Sequence, residues 1–174
     1  TLDQVRDALK SSEGFVENVT AWKTIPKKNA VYSPFPEGLD SRVAPALQKH
    51  GVNQLYAHQA KCFDLVSQGR DVVIVTPTAS GKTLCYNLPV LNAILQNPDS
   101  RALYLFPTKA LSADQVSELY ELIELMGADI KTYTYDGDTP GAARRAVRQA
   151  GHVVVTNPDM LHSGILPPHT KWVK

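Results

Sequence analysis

The amino-acid sequence predicts an α/β domain built on a parallel sheet with helices on both faces. From residue 71 onward, four short strand-like runs, the first without internal charge, alternate with helix-length stretches, the order that βαβ units require. The polar strings after each run, at residues 76–83, 107–115, 136–139 and 156–159, would all lie beyond the carboxyl ends of the strands, where open α/β sheets bind ligands. A chain of 174 residues with 43% hydrophobic and 20% charged residues has ordinary globular composition and roughly the length of one domain.

In chain order, Leu2, Val5 and Leu9 recur at helical spacing and predict a short amphipathic helix over residues 1–11. Residues 12–38 are irregular, with Pro26, Pro34 and Pro36 favouring extended chain that wraps over a surface, anchored by Trp22 and Phe35. Asp40 or Ser41 can cap a helix running to His50, with Val43 and Leu47 inward and Gly51 as its stop. A second helix is expected over about residues 55–68, closed by Gly69. The alternation then begins: strand 71–75 and helix 82–95, strand 102–106 and a helix to about Met126. Strand 129–135 leads to helix 141–150, and strand 152–155 to a short helix near 158–162. On this reading residues 1–53 are an N-terminal helical and irregular extension, and residues 54–174 are the α/β domain.

The most specific local signal is the loop Thr76, Pro77, Thr78, Ala79, Ser80, Gly81, Lys82 and Thr83, between the first predicted strand and its helix. Such a loop turns successive backbone N–H groups and a helix N-terminus toward phosphates. Gly81 supplies backbone freedom, Lys82 a point charge for the β- and γ-phosphates, and Thr83 a hydroxyl for Mg²⁺. The position five residues before Gly81 is Thr76 rather than glycine, so the strand before and the apolar helix after carry the reading. Upstream, Tyr56 and Gln59 precede Lys82, and a glutamine amide offers the donor and acceptor that match an adenine edge.

Charge and cysteines bound the rest. The 18 basic and 17 acidic residues leave a formal charge of +1, so any nucleic-acid contact must be local. Cys62 and Cys85 are too few for a disulfide framework or a zinc site and read as buried, reduced thiols. No run approaches the ~18 apolar residues of a membrane span. A cytoplasmic protein is expected, nucleoid-associated if bacterial. The chain starts at Thr1 and stops at Lys174, which reads as a piece of a longer protein.

Four strings stand in a fixed order: Leu55-Tyr-Ala-His-Gln59; residues 76–83; Phe106-Pro-Thr-Lys-Ala-Leu111 with Gln115 beyond it; and Thr156-Asn-Pro-Asp-Met-Leu161. Together they resemble the Q motif and motifs I, Ia and Ib of superfamily 2 helicases of the DEAD/DEAH-box-like type. Within that family they look most like the DNA helicases of the bacterial mitomycin-repair type (mitomycin repair factor A) and the RecQ-like helicases of the yeast Hrq type. The resemblance covers residues 54–161, most of the first of two RecA-like domains. It implies a P-loop NTPase fold with ATP and Mg²⁺ as cofactors. It further implies ATP-driven 3′ to 5′ translocation on single-stranded DNA, in repair of crosslinks or bulky lesions.

Carried over residue by residue, Gln59 and, less directly, Tyr56 would face adenine; residues 76–83 would hold the phosphates, with Lys82 and Thr83 closest to the chemistry. Pro107, Thr108 and Lys109 match the DNA-contacting motif Ia, and Thr156 and Asn157 match motif Ib, although Thr108 and Asn157 are also ordinary helix caps. Asp136 and Gly137, with Asp138, resemble the family's glycine-containing turn near the nucleic-acid strand. Arg144, Arg145 and Arg148 form a basic helix face that is either solvated or turned to DNA. The family's Asp-Glu-x-His motif would lie beyond Lys174, so this piece should be inactive alone and depend on a second RecA-like domain of the same parent chain. The absent strand should leave an open sheet edge. Three alternatives stay open: an RNA helicase, an ATP-independent nucleic-acid-binding module, and a small-molecule P-loop kinase.

Overall fold

Thr1 opens the chain as a helix cap: its hydroxyl accepts from Gln4 N, and helix α1 (Leu2–Lys10) follows, then a single turn, α2 (Glu13–Val16). The computed structural model describes residues 1–26 and 29–172, in two compact units, Thr1–Ala30 and Val31–Lys174. In the first unit the apolar stripe of α1 (Leu2, Val5, Leu9) is exposed rather than covered. Trp22 does not anchor the chain as expected. It is 46% exposed, and Lys10 Nζ lies 4.7 Å from its ring centroid, a cation–π contact at the surface.

The second unit begins with a short antiparallel ribbon that periodicity does not reveal, β1 (Tyr32–Ser33) paired with β2 (Leu55–Tyr56). Between them α3 (Val43–Lys49) buries Val43, Ala46 and Leu47. Residues 55 and 56, expected at the head of a helix, belong to the ribbon, and α4 (Ala57–Ser67) starts after them. Helix α5 (Lys82–Gln96) follows the phosphate loop, then β3 (Ala102–Leu105), α6 (Lys109–Met126), β4 (Thr132–Thr134), α7 (Gly141–Ala150), β5 (Val153–Thr156) and α8 (Pro158–Met160). A π-helical turn, Leu161–Ile165, continues from α8.

The sheet is parallel, in the order β3-β5-β4. All four residues of β5 are buried, as befits the central strand, and its Val-Val-Val-Thr composition suits a strand covered on both faces. Helices cover both faces as predicted. Val153, Val155 and Tyr104 point into a large core with Leu88, Leu91, Leu119 and Leu122 from α5 and α6. Val154 points the other way, into a smaller core with Tyr135, Val147, Met160 and Ile165.

The first predicted strand is the main correction. Among the described residues, nothing pairs with residues 71–75, and they join no ladder. Their burial alternates, with Val72 and Ile74 half-buried while Val73 and Val75 are 89% and 90% exposed. The apolar pattern is that of a doubly covered strand, but a strand exists only where a neighbouring backbone completes its hydrogen bonds, and β3, β5 and β4 pair only with one another.

Inside α5, Pro89 interrupts the helical ladder, because it has no N–H to give the carbonyl of Cys85 four residues back. The Cys62 thiol on α4 donates to that carbonyl at 3.2 Å, and both cysteines are buried and free. Burial pushes both thiols up, Cys85 to about 11.

Candidate nucleotide and nucleic-acid site

The loop from Thr76 to Thr83 is bent by two left-handed residues, Ala79 (φ 57°) and Gly81 (φ 72°). Glycine takes that conformation freely, and alanine does so at a cost of roughly 1–2 kcal/mol. Thr76 Oγ1 and Ser80 Oγ close the loop at 2.6 Å, while Pro77, Thr78 and Ala79 form its exposed tip. Lys82 folds its ammonium back onto the loop, donating to the carbonyls of Thr76 at 3.1 Å and Pro77 at 2.7 Å. The cation therefore sits within the loop, ahead of the N-terminus of the 15-residue helix α5. A phosphate needs that combination of a lysine, a helix N-terminus and a left-handed glycine.

Gln59 is only 2% exposed, and its amide works in both directions. Its Oε1 accepts from Tyr56 N at 2.8 Å and its Nε2 donates to the carbonyl of Gly81 at 2.7 Å. The residue thus ties the ribbon to the phosphate loop, and one proton and one lone-pair site of the amide remain for a base. A Cβ on Gly81 would fall 2.6 Å from that Nε2. Beside this bridge lies a cavity of about 550 Å³ lined by Tyr32, Tyr56, Gln59, Gly81, Thr83 and Glu118, within the range of small-molecule sites. Tyr32, absent from the sequence reading, stacks on Tyr56 with centroids 5.3 Å apart, and Tyr56 stacks in turn on His58 at 5.7 Å. The ribbon creates this stack by pairing Tyr32 with Tyr56.

ATP and Mg²⁺ fit these residues. Lys82 and the loop would hold the phosphates. The Thr83 hydroxyl, which donates to Gln115 Oε1 at 3.2 Å, keeps its lone pairs for a cation.

The second set of residues gathers at the carboxyl ends of β3, β4 and β5. Lys109, Ser112, Thr134, Asp136, Thr156 and Asn157 line a cavity of about 240 Å³, so three of the four loops predicted to share one edge meet there, and the phosphate loop does not line it. Several of these side chains also serve the fold. Pro107 and Thr108 are exposed, and Thr108 Oγ1 caps α6 by accepting from Leu111 N at 3.3 Å. Asn157 Oδ1 accepts from Met160 N at 2.8 Å and caps α8. Thr156 is 3% exposed and its hydroxyl donates to the carbonyl of Tyr135 at 2.6 Å, so it locks β5 to the chain beyond β4 rather than presenting a donor to solvent.

Lys109 is exposed and ion-paired: its ammonium donates to the Asp138 carboxylate and lies 3.8 Å from Asp136. The hydrogen bond with Asp138 holds Lys109 above its ordinary value, and the same bond holds the Asp138 carboxyl below its own. The turn bearing these acids is built by side chains, with Asp138 N donating to Asp136 Oδ1 at 3.0 Å and Asp136 N to Thr139 Oγ1 at 2.9 Å around Gly137. Arg144 belongs to this turn rather than to a free basic face. It donates to the carbonyls of Thr139 at 2.9 Å and Asp136 at 3.3 Å, over the Tyr135 ring. Arg148 lies over the Trp172 ring, and Arg145 is exposed.

Comparison with known proteins agrees with this geometry. A family model described as DEAD/DEAH box helicase matches residues 56–174. The uncharacterized ATP-dependent helicase YprA of Bacillus subtilis is 60% identical over 90% of this chain, which covers 21% of that protein. The ATP-dependent helicase HRQ1 of Saccharomyces cerevisiae is 38% identical over 99% of the chain, which covers 16% of it. A crystal structure of the DUF1998 helicase MrfA bound to DNA and AMPPNP superposes with a TM-score of 0.92 at 56% identity, over 99% of this chain and 24% of that one. The chain thus spans about a fifth of the length of these relatives.

Proposed function

The chain belongs to the DEAD/DEAH box helicase family, and from that premise we propose that it is the nucleotide-binding part of the first RecA-like domain of an ATP-dependent DNA helicase. The observation that carries the reading is the joining of two sites by one helix. Helix α6 begins with Thr108 and Lys109 at the sheet edge and reaches the phosphate loop through Gln115 and Thr83. In this reading ATP sits with its phosphates on residues 76–83, Lys82 neutralising the β- and γ-phosphates and Thr83 holding Mg²⁺. Its base lies toward Tyr56 and Gln59.

Single-stranded DNA runs past the edge made by Pro107, Thr108 and Lys109, the Asp136–Gly137 turn and Asn157. Its backbone is gripped by phosphate contacts that carry no base information. Thr156 supports that edge from inside. Hydrolysis also needs carboxylates on the metal and an arginine from a second domain. We assign these to other parts of the parent protein, so this chain alone holds nucleotide without turning it over. Translocation 3′ to 5′ and action on crosslinks or bulky lesions complete the reading, supported by similarity to the mitomycin-repair and Hrq types. An RNA helicase is the second reading, because phosphate contacts of this kind do not separate the two polymers.

The test is ATP hydrolysis by the full-length protein, with single-stranded DNA or RNA of equal length and Lys82→Ala as the blank. Stimulation by DNA alone, lost by two or more orders of magnitude in Lys82→Ala, a size typical of removing a charge that stabilises a transferring phosphoryl group, is the expected result. Equal stimulation by RNA would favour the second reading. Hydrolysis indifferent to both polymers would overturn the helicase assignment.

A further inference from the structure

We propose that Gln115 is a positioning residue for the magnesium end of the nucleotide site, acting as the acceptor that turns the Thr83 hydroxyl proton away from the cation. The inference rests on the nucleotide reading above and extends it to a residue on another helix. Gln115 Oε1 accepts from Thr83 Oγ1 at 3.2 Å and also from the Tyr86 hydroxyl. Both donors sit on α5, one turn apart, and the acceptor sits on α6. All three residues are half-buried, and Tyr86 is held edge-on against Tyr104 with centroids 5.3 Å apart, so one of the two donors that hold the acceptor is itself fixed by packing.

The chemistry follows from the hydroxyl inventory. A threonine hydroxyl has one proton and two lone pairs. A divalent cation takes a lone pair, so the proton must point elsewhere and find a partner. An amide oxygen already aligned with it fixes the rotamer that offers oxygen to the metal, as partners behind metal ligands generally do. Tyr86 occupies the second lone pair of Gln115 and keeps the amide from turning its NH₂ toward Thr83. Gln115 lies two helical turns beyond Thr108 on α6, so the residue that orients the metal ligand is carried by the helix whose first residues face the nucleic-acid edge.

The experiment measures equilibrium binding of a fluorescent, non-hydrolysable ATP analogue to the full-length protein, with Mg²⁺ and with EDTA. Gln115→Leu, Gln115→Glu and Tyr86→Phe are compared with the unsubstituted protein. Gln115→Leu is expected to lose about tenfold of the Mg²⁺-dependent gain in affinity, the scale typical of a partner behind a metal ligand, with binding in EDTA unchanged. Gln115→Glu, which keeps an acceptor oxygen, is expected to restore the gain, and Tyr86→Phe to lose a smaller part of it. A full Mg²⁺ gain in Gln115→Leu would overturn the proposal. Equal weakening with and without Mg²⁺, not rescued by glutamate, would also overturn it, because that pattern marks packing alone. Equal binding with Mg²⁺ and with EDTA in the unsubstituted protein would overturn the proposal by removing the cation from Thr83, whereas no binding in either condition would sink the nucleotide reading itself, an outcome distinct from the others.

Discussion

Gln59 and Gly81 are joined across 22 residues by a 2.7 Å hydrogen bond from the side-chain amide to the backbone carbonyl, and the other end of the same amide holds Tyr56 N at 2.8 Å. A buried side chain thereby fixes the last turn of the phosphate loop to the aromatic ribbon.

Replacing Gln59 tests this link. Gln59→Ala leaves the carbonyl of Gly81 and the N–H of Tyr56 without their partner; both bonds are only part-buried, so each loss should cost about 1 kcal/mol, below the full penalty of a buried orphan. Gln59→Glu keeps the acceptor for Tyr56 N but sets a carboxylate oxygen against the Gly81 carbonyl oxygen. Urea unfolding should show both variants destabilised, with glutamate no better than alanine near neutral pH. A glutamate variant as stable as the original protein would mean that the amide does not bridge in solution.

Ala79 offers a test of opposite sign. At φ 57° a non-glycine residue carries roughly 1–2 kcal/mol of strain, while placing glycine in a chain costs about 0.4–1 kcal/mol through the unfolded state. The strain term is larger, so Ala79→Gly should raise stability by about 0.5–1 kcal/mol. A lower midpoint in urea would show that the loop leaves this conformation in solution.

On the proposed DNA path, Asp138 would compete with a nucleic-acid phosphate for Lys109. A phosphate that takes Lys109 must displace the Asp138 carboxylate. Asp138→Asn should therefore tighten single-strand binding by the full-length protein, and Lys109→Ala should weaken it and flatten the dependence on log salt by about 0.7, the contribution of one contact on a single strand. An unchanged salt slope in Lys109→Ala would remove this lysine from the path of the strand.

The fold was legible where period and length agree. Helices α5 and α7 and the buried run of β5 lie within a residue or two of their sequence bounds, and α6 ends where expected; α5 and α6 bury apolar faces and β5 is buried on both, while α7 buries only Val147. The ribbon of Tyr32–Ser33 with Leu55–Tyr56 was not legible, since two-residue strands carry no period, and with it the Tyr32 stack was missed. Residues 71–75 show the converse: a strand-like sequence without a paired neighbour. At the site, residue types were readable but their partners were not. A threonine can cap a helix, bind a phosphate or lock two strands, and Thr108 and Thr156 differ only in what the fold sets beside them. Arg144 and Gln115 likewise owe their roles to contacts with segments 5 to 32 residues away.

Asp40 should govern part of the acid stability. Arg42 donates to both of its carboxylate oxygens, Nε to Oδ1 at 2.7 Å and a terminal nitrogen to Oδ2 at 3.0 Å. The Arg42 side-chain bonds, helped by its backbone N–H, hold the carboxyl at about 2 against an ordinary 3.8. A depressed folded value means that the stabilisation is complete above the unfolded value and is lost as pH falls through the folded one. Arg42→Gln should therefore be less stable than the original protein near neutral pH. The difference should shrink between about pH 4 and about pH 2 as the carboxyl protonates. Urea midpoints across that window check it, and a difference constant with pH would mean that Arg42 acts through its 3.3 Å bond to the Leu95 carbonyl instead.

Cys62 and Pro89 should be energetically coupled although they lie on different helices. Pro89 leaves the carbonyl of Cys85 without its helical donor, and the Cys62 thiol supplies one at 3.2 Å. In the original background, Cys62→Ala loses the packing of the thiol and strands a buried carbonyl, the second loss alone being about 1–3 kcal/mol. In a Pro89→Ala background the backbone N–H returns to that carbonyl, so Cys62→Ala should cost about 1 kcal/mol less. Cys62→Ser, which keeps a donor, should fall between. The double-mutant cycle in urea separates these contributions: a coupling near zero would leave the thiol as mere core volume, whereas the expected coupling identifies it as the group that lets α5 tolerate a proline behind the phosphate loop.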